Sequence, residues 1–427
     1  MNPSIRKIYK SENNKNIFLN YIAFGLQILF GFLTTIFILY YQGIEGLGVF
    51  TQLYAILVVC SQLGVLGIND SVLQKVSILS KNDNILVTAL RASIINASLI
   101  SIIIFNSDYF FNFFFKSEII NNNLNYLSFA IFLLIINKVF FSFINAKKWF
   151  KLFAFINFLR PLLIFFILLI FIFLDINSTK LALIFLLSEL FMFVFLCFKC
   201  SNYFLYKIFI IEIRLLLSHY KFGSKVSINS VLSESFIRVD ILVLGFFLND
   251  ELIGIYAFAA LFFEGIYQLS IVLRNIINPD INNYFKKNKL DKIYILIKKT
   301  TIFSFIITFI GCVVTLGIFP FVLDLFDMSS LKYSYEIIKV LFIGNLLYCI
   351  IVPSENFLFI INKPLIQSYY MGTICTINIL LNIIFINNFG LIGAAYATTI
   401  TYGMSIIIFN IFVGKFTILK KGVFIKN

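Results

Sequence analysis

Apolar residues fill this chain in long blocks, separated by short polar connections. A helix needs about 20 mostly apolar residues to cross the hydrocarbon core of a bilayer. That window predicts spans near 17–41, 49–68, 85–105, 124–145, 152–174, 181–198, 223–248, 253–277, 300–325, 337–361, 366–387 and 391–414. They number about twelve, so the expected fold is an all-α polytopic membrane protein. The polar opening MNPSIRKIYKSENNKN leads into a long first span with no small-residue cleavage site behind a short apolar core. This is unlike a removable signal peptide, and the first span is expected to stay as an anchor.

Composition excludes a soluble globule. The chain has 427 residues, of which 60% are hydrophobic and 13% charged, where a soluble domain carries about 25% charge. The abundance of isoleucine, phenylalanine, asparagine and lysine fits an AT-rich genome and carries no functional information.

The formal charge of +14 belongs to topology. Basic residues gather in alternate connections, among them Arg6, Lys7, Lys10 and Lys15; Lys147, Lys148 and Lys151; and Lys415, Lys420, Lys421 and Lys426. The intervening connections hold acids instead, including Glu45, Asp108, Asp175, Asp250, Glu251, Asp324 and Asp327. Basic loops are retained in the cytoplasm, so both termini are expected there, with an even number of spans and no nucleic-acid partner. One basic stretch, NNYFKKNKLDKIYILIKK from Asn282 to Lys299, is read as a positively charged cytoplasmic connection that can also meet anionic membrane lipid.

The six cysteines lie in or at the edge of apolar spans; Cys197 and Cys200 have a C-x-x-C spacing with no second pair, and all six are read as small packing residues. The one histidine, His219, stands just before the seventh span and is read as incidental.

Phe37 to Phe50, FILYYQGIEGLGVF, set against Val243 to Tyr256, VLGFFLNDELIGIY, aligns Glu45 with Glu251, Gly48 with Gly254 and Phe50 with Tyr256 at one offset close to half the chain. Both copies are outer turns between an odd and an even span, so the halves have the same orientation, as parallel repeats do. The expected build is two six-helix bundles, residues 1–205 and 206–427, facing each other across a central cavity.

The stretch from His219 to Phe285, with its D-x-L-V-L-G run, G-I-Y turn and following proline, resembles the seventh and eighth spans of polysaccharide exporters. QGIEGLGVFTQLYAI near the start and FGLIGAAYATTITY near the end agree with that pattern. The chain looks like a flippase of the Wzx type, in the superfamily that also contains multidrug and toxin exporters. The resemblance implies transfer of an undecaprenyl-pyrophosphate-linked oligosaccharide from the cytoplasmic to the periplasmic leaflet of a bacterial inner membrane. It also makes glycan polymerase machinery a conceivable partner.

The apolar blocks nevertheless carry charges. The seventh span, VLSESFIRVDILVLGFFL, holds Glu234, Arg238 and Asp240, although each costs about 2.5–3.5 kcal/mol on insertion scales. Ser227, Ser230, Glu234 and Arg238 share one stripe of that helix, while Asn229, Ser233 and Asp240 form another. One stripe lines the cavity and the other packs within its own bundle, in either assignment. Glu234 and Arg238 are also spaced to pair along the helix.

The eighth span places Glu264, Gln268, Asn275 and Asn278 on one face with Arg274 beside it, and the first span repeats Asn20, Gln27 and Thr34. Arg91, Lys138, Arg160, Glu189 and Glu355 complete the set. Two roles are open to them: mutual neutralisation between helices, or a substrate and ion path. For a flippase the cations Arg91, Lys138, Arg160, Arg238 and Arg274 are the candidate head-group contacts, because an arginine fork fits phosphate oxygens. Glu234, Asp240, Glu264 and Glu355 are candidates for positioning those cations or for coupling to H+ or Na+.

Two other readings are weighed. A cation-coupled multidrug exporter of the same superfamily is the alternative, but such exporters often have an acidic residue in the first span, and this one has none. A membrane glycan polymerase or ligase would need a sizeable extramembrane loop or an acid–base cluster, and no G-x-x-x-x-G-K-[ST] loop is present. No enzyme activity and no cofactor are expected.

Overall fold

The computed structural model describes residues 3–78, 84–109, 111, 115, 117–204, 212–325 and 331–416, with side chains from Ile22 onward. Arg6, Lys7, Lys10, Lys15, Asn20, Asp327, Lys420, Lys421 and Lys426 thus lie outside the described side chains.

All regular structure among the described residues is helical, as the uninterrupted apolar blocks require. Among the described residues thirteen α-helices follow one another: α1 (Pro3–Val65), α2 (Ile68–Ile78), α3 (Asn84–Phe105), α4 (Glu118–Ala146), α5 (Phe150–Phe173), α6 (Ala182–Phe204), α7 (Ile213–Phe247), α8 (Asp250–Lys286), α9 (Leu290–Leu325), α10 (Lys332–Tyr348), α11 (Phe357–Ile360), α12 (Pro364–Phe389) and α13 (Leu391–Phe416).

Nine helical segments among the described residues are long and apolar enough to cross a membrane, or ten if the bent pair Lys332–Tyr348 and Val352–Ile360 is one span. The sequence expects about twelve, and each difference has a physical cause. The first two expected spans are the arms of α1, broken at Gly43, whose φ of 74° and ψ of −174° are reached readily only without a Cβ. The bent pair turns by 45° where Pro353, lacking an N–H, interrupts the helical ladder. The remaining span is α7, whose last turns hold Glu234, Arg238 and Asp240 and so exceed the charge of an ordinary spanning helix.

The chain divides into two compact units, Met1–Ser227 and Ile228–Asn427, with the boundary inside α7. In the first unit α4 is the central helix, packed against α1, α2, α3 and α6. Its Leu124, Leu127, Ile131, Leu134 and Ile135 are buried at intervals of three and four residues, the spacing of one helix face. In the second unit α8 packs on α9 and α10, α12 pairs with α13, and α13 also packs on α10.

The turn joining α7 to α8 is capped by Asn249, whose Oδ1 accepts from the Leu252 N–H at 3.2 Å. Asn249 stands at the same offset from Gly43 as Glu251 does from Glu45, so the break in α1 and the turn between α7 and α8 fall at corresponding sequence positions. None of the cysteines is in a disulfide, and among the described residues no group of three or more His, Cys, Asp or Glu can hold a metal ion.

Candidate functional site

In the second unit, α7 presents its ionisable residues to helices that arrive much later in the chain. Arg238 Nη1 lies 2.8 Å from Glu264 Oε1 on α8, with the two side chains 17% and 30% exposed. The partner given to Arg238 is therefore on the next helix, while Glu234 is exposed. An interhelical pair of this kind neutralises both charges and fixes the guanidinium, yet leaves it reachable.

Asp240, two residues on, meets no cation in its hydrogen-bond set. Tyr256 OH donates to Oδ2 at 2.7 Å, Thr398 Oγ1 donates to the same oxygen, and Asn382 Nδ2 donates to Oδ1 at 3.0 Å. Asn382 Nδ2 is also 3.3 Å from Asn378 Oδ1, and Asn378 Nδ2 donates to Thr401 Oγ1 at 3.4 Å. Four helices, α7, α8, α12 and α13, thus converge on one carboxyl. Asn382 Oδ1 is buried with no hydrogen-bond partner among the described residues. A buried polar atom left unmet costs about 1–3 kcal/mol, which a proton on the carboxyl or a small cation among these oxygens would relieve.

A third group surrounds Arg274. Its Nη1 pairs with Glu355 Oε2, and Glu355 Oε1 accepts from Tyr348 OH at 2.6 Å. Tyr348 stacks on Tyr402 with ring centroids 4.2 Å apart, and Tyr402 is flanked by Phe236 and Phe263 at 5.5 and 5.8 Å. Tyr348 thus both donates to Glu355 and forms part of this ring stack.

The first unit holds its own charges. Arg160 Nε lies 2.5 Å from Glu189 Oε1, and Asn137 Nδ2 donates to Glu189 Oε2 at 2.9 Å. Glu189 is fully buried. Lys138 Nζ donates to Gln62 Oε1 at 2.6 Å, and Arg91 is half-buried on α3. Of the first-span stripe, Thr34 is buried and donates to Phe30 O of its own helix at 2.7 Å, Gln27 is exposed, and Asn20 lies outside the described side chains.

Among the described residues, at least three of the five cations expected at membrane depth, Arg160, Arg238 and Arg274, are therefore held by carboxylates from other segments. Tyr256, Tyr348, Asn378, Asn382 and Thr398 are the members of these groups that sequence reasoning missed. The signal for three of them was present: Asn378 and Asn382 share a helix face at i, i+4, and Thr398 lies inside FGLIGAAYATTITY.

Residues 44–301 match the family described as polysaccharide biosynthesis protein. Among solved structures, an inward-facing multidrug resistance MATE family transporter of the MOP superfamily is similar at 17% identity, covering 90% of this chain and 92% of that one with a TM-score of 0.74. The lipid II flippase MurJ in its inward closed conformation is similar at 18% identity, covering 95% and 89%, also with a TM-score of 0.74. The MATE multidrug transporter DinF-BH in complex with R6G is similar at 14% identity, covering 96% and 95%, with a TM-score of 0.71. No curated protein matches. At these identities the structures establish the fold. It is the fold shared by the two multidrug transporters and the lipid II flippase named above.

Proposed function

The chain belongs to the polysaccharide biosynthesis protein family, and from that premise we propose that it is a flippase for undecaprenyl-pyrophosphate-linked oligosaccharide. It carries the repeat unit from the cytoplasmic to the periplasmic leaflet of a bacterial inner membrane by alternating access, with both termini in the cytoplasm. The observation that supports this reading most is the Arg238–Glu264 pair: a guanidinium at membrane depth, held from a neighbouring helix and still part-exposed.

A pyrophosphate and sugar hydroxyls cannot enter hydrocarbon without losing several kcal/mol for each unmet polar group. The polyprenyl tail can remain in lipid, so the protein has only to shelter the head. Arg238 holds phosphate oxygens through its guanidinium, since bidentate guanidinium contacts are stronger than neutral ones. Glu264 keeps the fork oriented and lowers the net charge, which limits how tightly the head group is retained and lets it leave.

Asp240, with Tyr256, Asn382 and Thr398, is the coupling site in this scheme. It takes a proton or a sodium ion, and its occupancy decides whether α7, α8, α12 and α13 stay drawn together. The test is export in living cells. Arg238→Ala should abolish surface glycan while the protein stays inserted and abundant, and Arg238→Lys should recover only part, because lysine keeps the charge without the planar fork. Full export by Arg238→Ala would overturn the proposal.

A further inference from the structure

The stretch from Asn282 to Lys299 is not a loop. It is the end of α8 and the beginning of α9, joined by a tight turn at Lys287–Asn288. Its lysines therefore have fixed places on a helix surface.

One face of α9 is buried and carries Ile293, Ile297, Thr300 and Ser304; the opposite face carries Ile302, Ile306, Phe309 and Val313, each 48–53% exposed. A long helix face of exposed isoleucine and phenylalanine in a membrane protein faces acyl chains. At 100° per residue, Lys299 and Lys292 lie about 50° and 70° from the centre of that face on one side, exposed Ile295 lies near its centre, and Lys298 lies about 50° from it on the other side. All three lysines are exposed.

Depth agrees with direction. From Ile302 to Asp324 at the far end of α9 is about 33 Å at 1.5 Å per residue, close to the ~30 Å thickness of the hydrocarbon core. Lys299 then stands about 4.5 Å past the edge of the acyl chains and Lys292 about 15 Å past it, which brackets the phosphate layer for side chains that snorkel. Lys292 Nζ also sits over the Tyr284 ring, 5.9 Å from its centroid, which ties the tip of α9 to α8. Asp291, exposed beside Lys292, offsets part of this charge.

We propose that the Lys292, Lys298 and Lys299 flank of α9 is a binding site for the phosphate head group of anionic phospholipid in the adjoining leaflet. The apolar face below receives the acyl chains, and the lysines above receive the phosphate. This site is independent of the transport reading.

The test is native mass spectrometry of the purified full chain, titrated with phosphatidylglycerol or with phosphatidylcholine. Each lysine near an anionic head group contributes a factor of about five in affinity, so the triple change Lys292→Gln, Lys298→Gln and Lys299→Gln should lose phosphatidylglycerol binding about tenfold or more. Binding of phosphatidylcholine should not change. The corresponding triple change to arginine should keep phosphatidylglycerol, and glutamine at Lys148, Lys151 and Lys225, exposed lysines of the first unit, should leave it intact. Equal loss in the two glutamine triples would reduce these lysines to general topogenic charge and overturn the site. So would equal binding of the two lipids, or a lipid-free dimer that disappears in the α9 triple and so assigns the face to a second copy.

Discussion

Arg238 on α7 and Glu264 on α8 form a 2.8 Å ion pair that links two adjacent spans of the second unit. The pair converts two charges that each disfavour insertion into one neutral, oriented group. Removing one partner of a deeply buried pair costs about 3–5 kcal/mol, but this pair is part-exposed, and about 1–2 kcal/mol is the scale for a charge-assisted hydrogen bond there. Glu264→Ala should therefore lower protein level modestly, and combining it with Arg238→Ala should restore level without restoring export. Immunoblots beside surface glycan measure both; recovered export in the double variant would reduce Arg238 to a structural role.

The Arg160–Glu189 pair gives the opposite balance. Glu189 is fully buried and receives Asn137 as well as Arg160, so Glu189→Ala removes the carboxylate that neutralises Arg160 in the first unit, while Asn137 keeps its bond to the residue-189 carbonyl. A loss of about 3–5 kcal/mol is expected. Thermal unfolding in detergent should show a large fall in Tm for Glu189→Ala and a smaller one for Glu189→Gln, which keeps the amide contact. An unchanged Tm would mean that water reaches this pair.

Asp240 should govern ion dependence. Asp240→Asn preserves size and accepts a hydrogen bond at one oxygen, but it cannot release a proton or carry charge to a sodium ion. Export or flipping by this variant should be slow and should not respond to an imposed pH or sodium gradient, whereas the wild type should respond. Thr398→Val and Asn382→Leu should weaken the dependence in part, since each removes one donor to the same carboxyl. Retained gradient dependence in Asp240→Asn would place coupling elsewhere.

His219 sets a pH limit on stability. It lies 29 residues before Leu248, about 44 Å along the helix, and hence outside the hydrocarbon. It is buried between Ser71 on α2, 2.9 Å from Nδ1, and Thr88 on α3, 3.3 Å from Nε2. Burial first, and the Lys75 ammonium second, push its pKa down to about 3. The folded state thus holds the ring neutral while the unfolded chain protonates near pH 6.5. The stability it contributes is complete above pH 6.5 and is lost as pH falls from there towards 3, about 2 kcal/mol by pH 5. Melting at pH 7.5 and pH 5 should show a drop that His219→Gln reduces; equal drops would assign the acid sensitivity to other groups.

Most of the fold was legible because span length and apolarity are one-dimensional quantities. What was not legible is pairing. The spacing of Glu234 and Arg238 suggested a contact along α7, whereas Arg238 meets Glu264 across to α8, and no periodicity along a single helix reveals which neighbour faces it. Asp240 was visible as a buried charge, but its partners Tyr256, Asn382 and Thr398 are neutral residues, common in membrane helices, and they become a site only when four helices converge. His219, read as incidental, is fully buried between two helices, a burial that a single histidine beside a lysine-rich connection gives no sign of.

The most direct test of the central claim is flipping in vesicles. Purified protein reconstituted with fluorescent undecaprenyl-pyrophosphate-linked oligosaccharide should let the lipid reach a membrane-impermeant quencher from the inner leaflet, and Arg238→Ala reconstituted at equal density should not. Quenching in protein-free vesicles equal to that with wild type, or equal quenching in wild type and Arg238→Ala, would contradict a flippase built around Arg238.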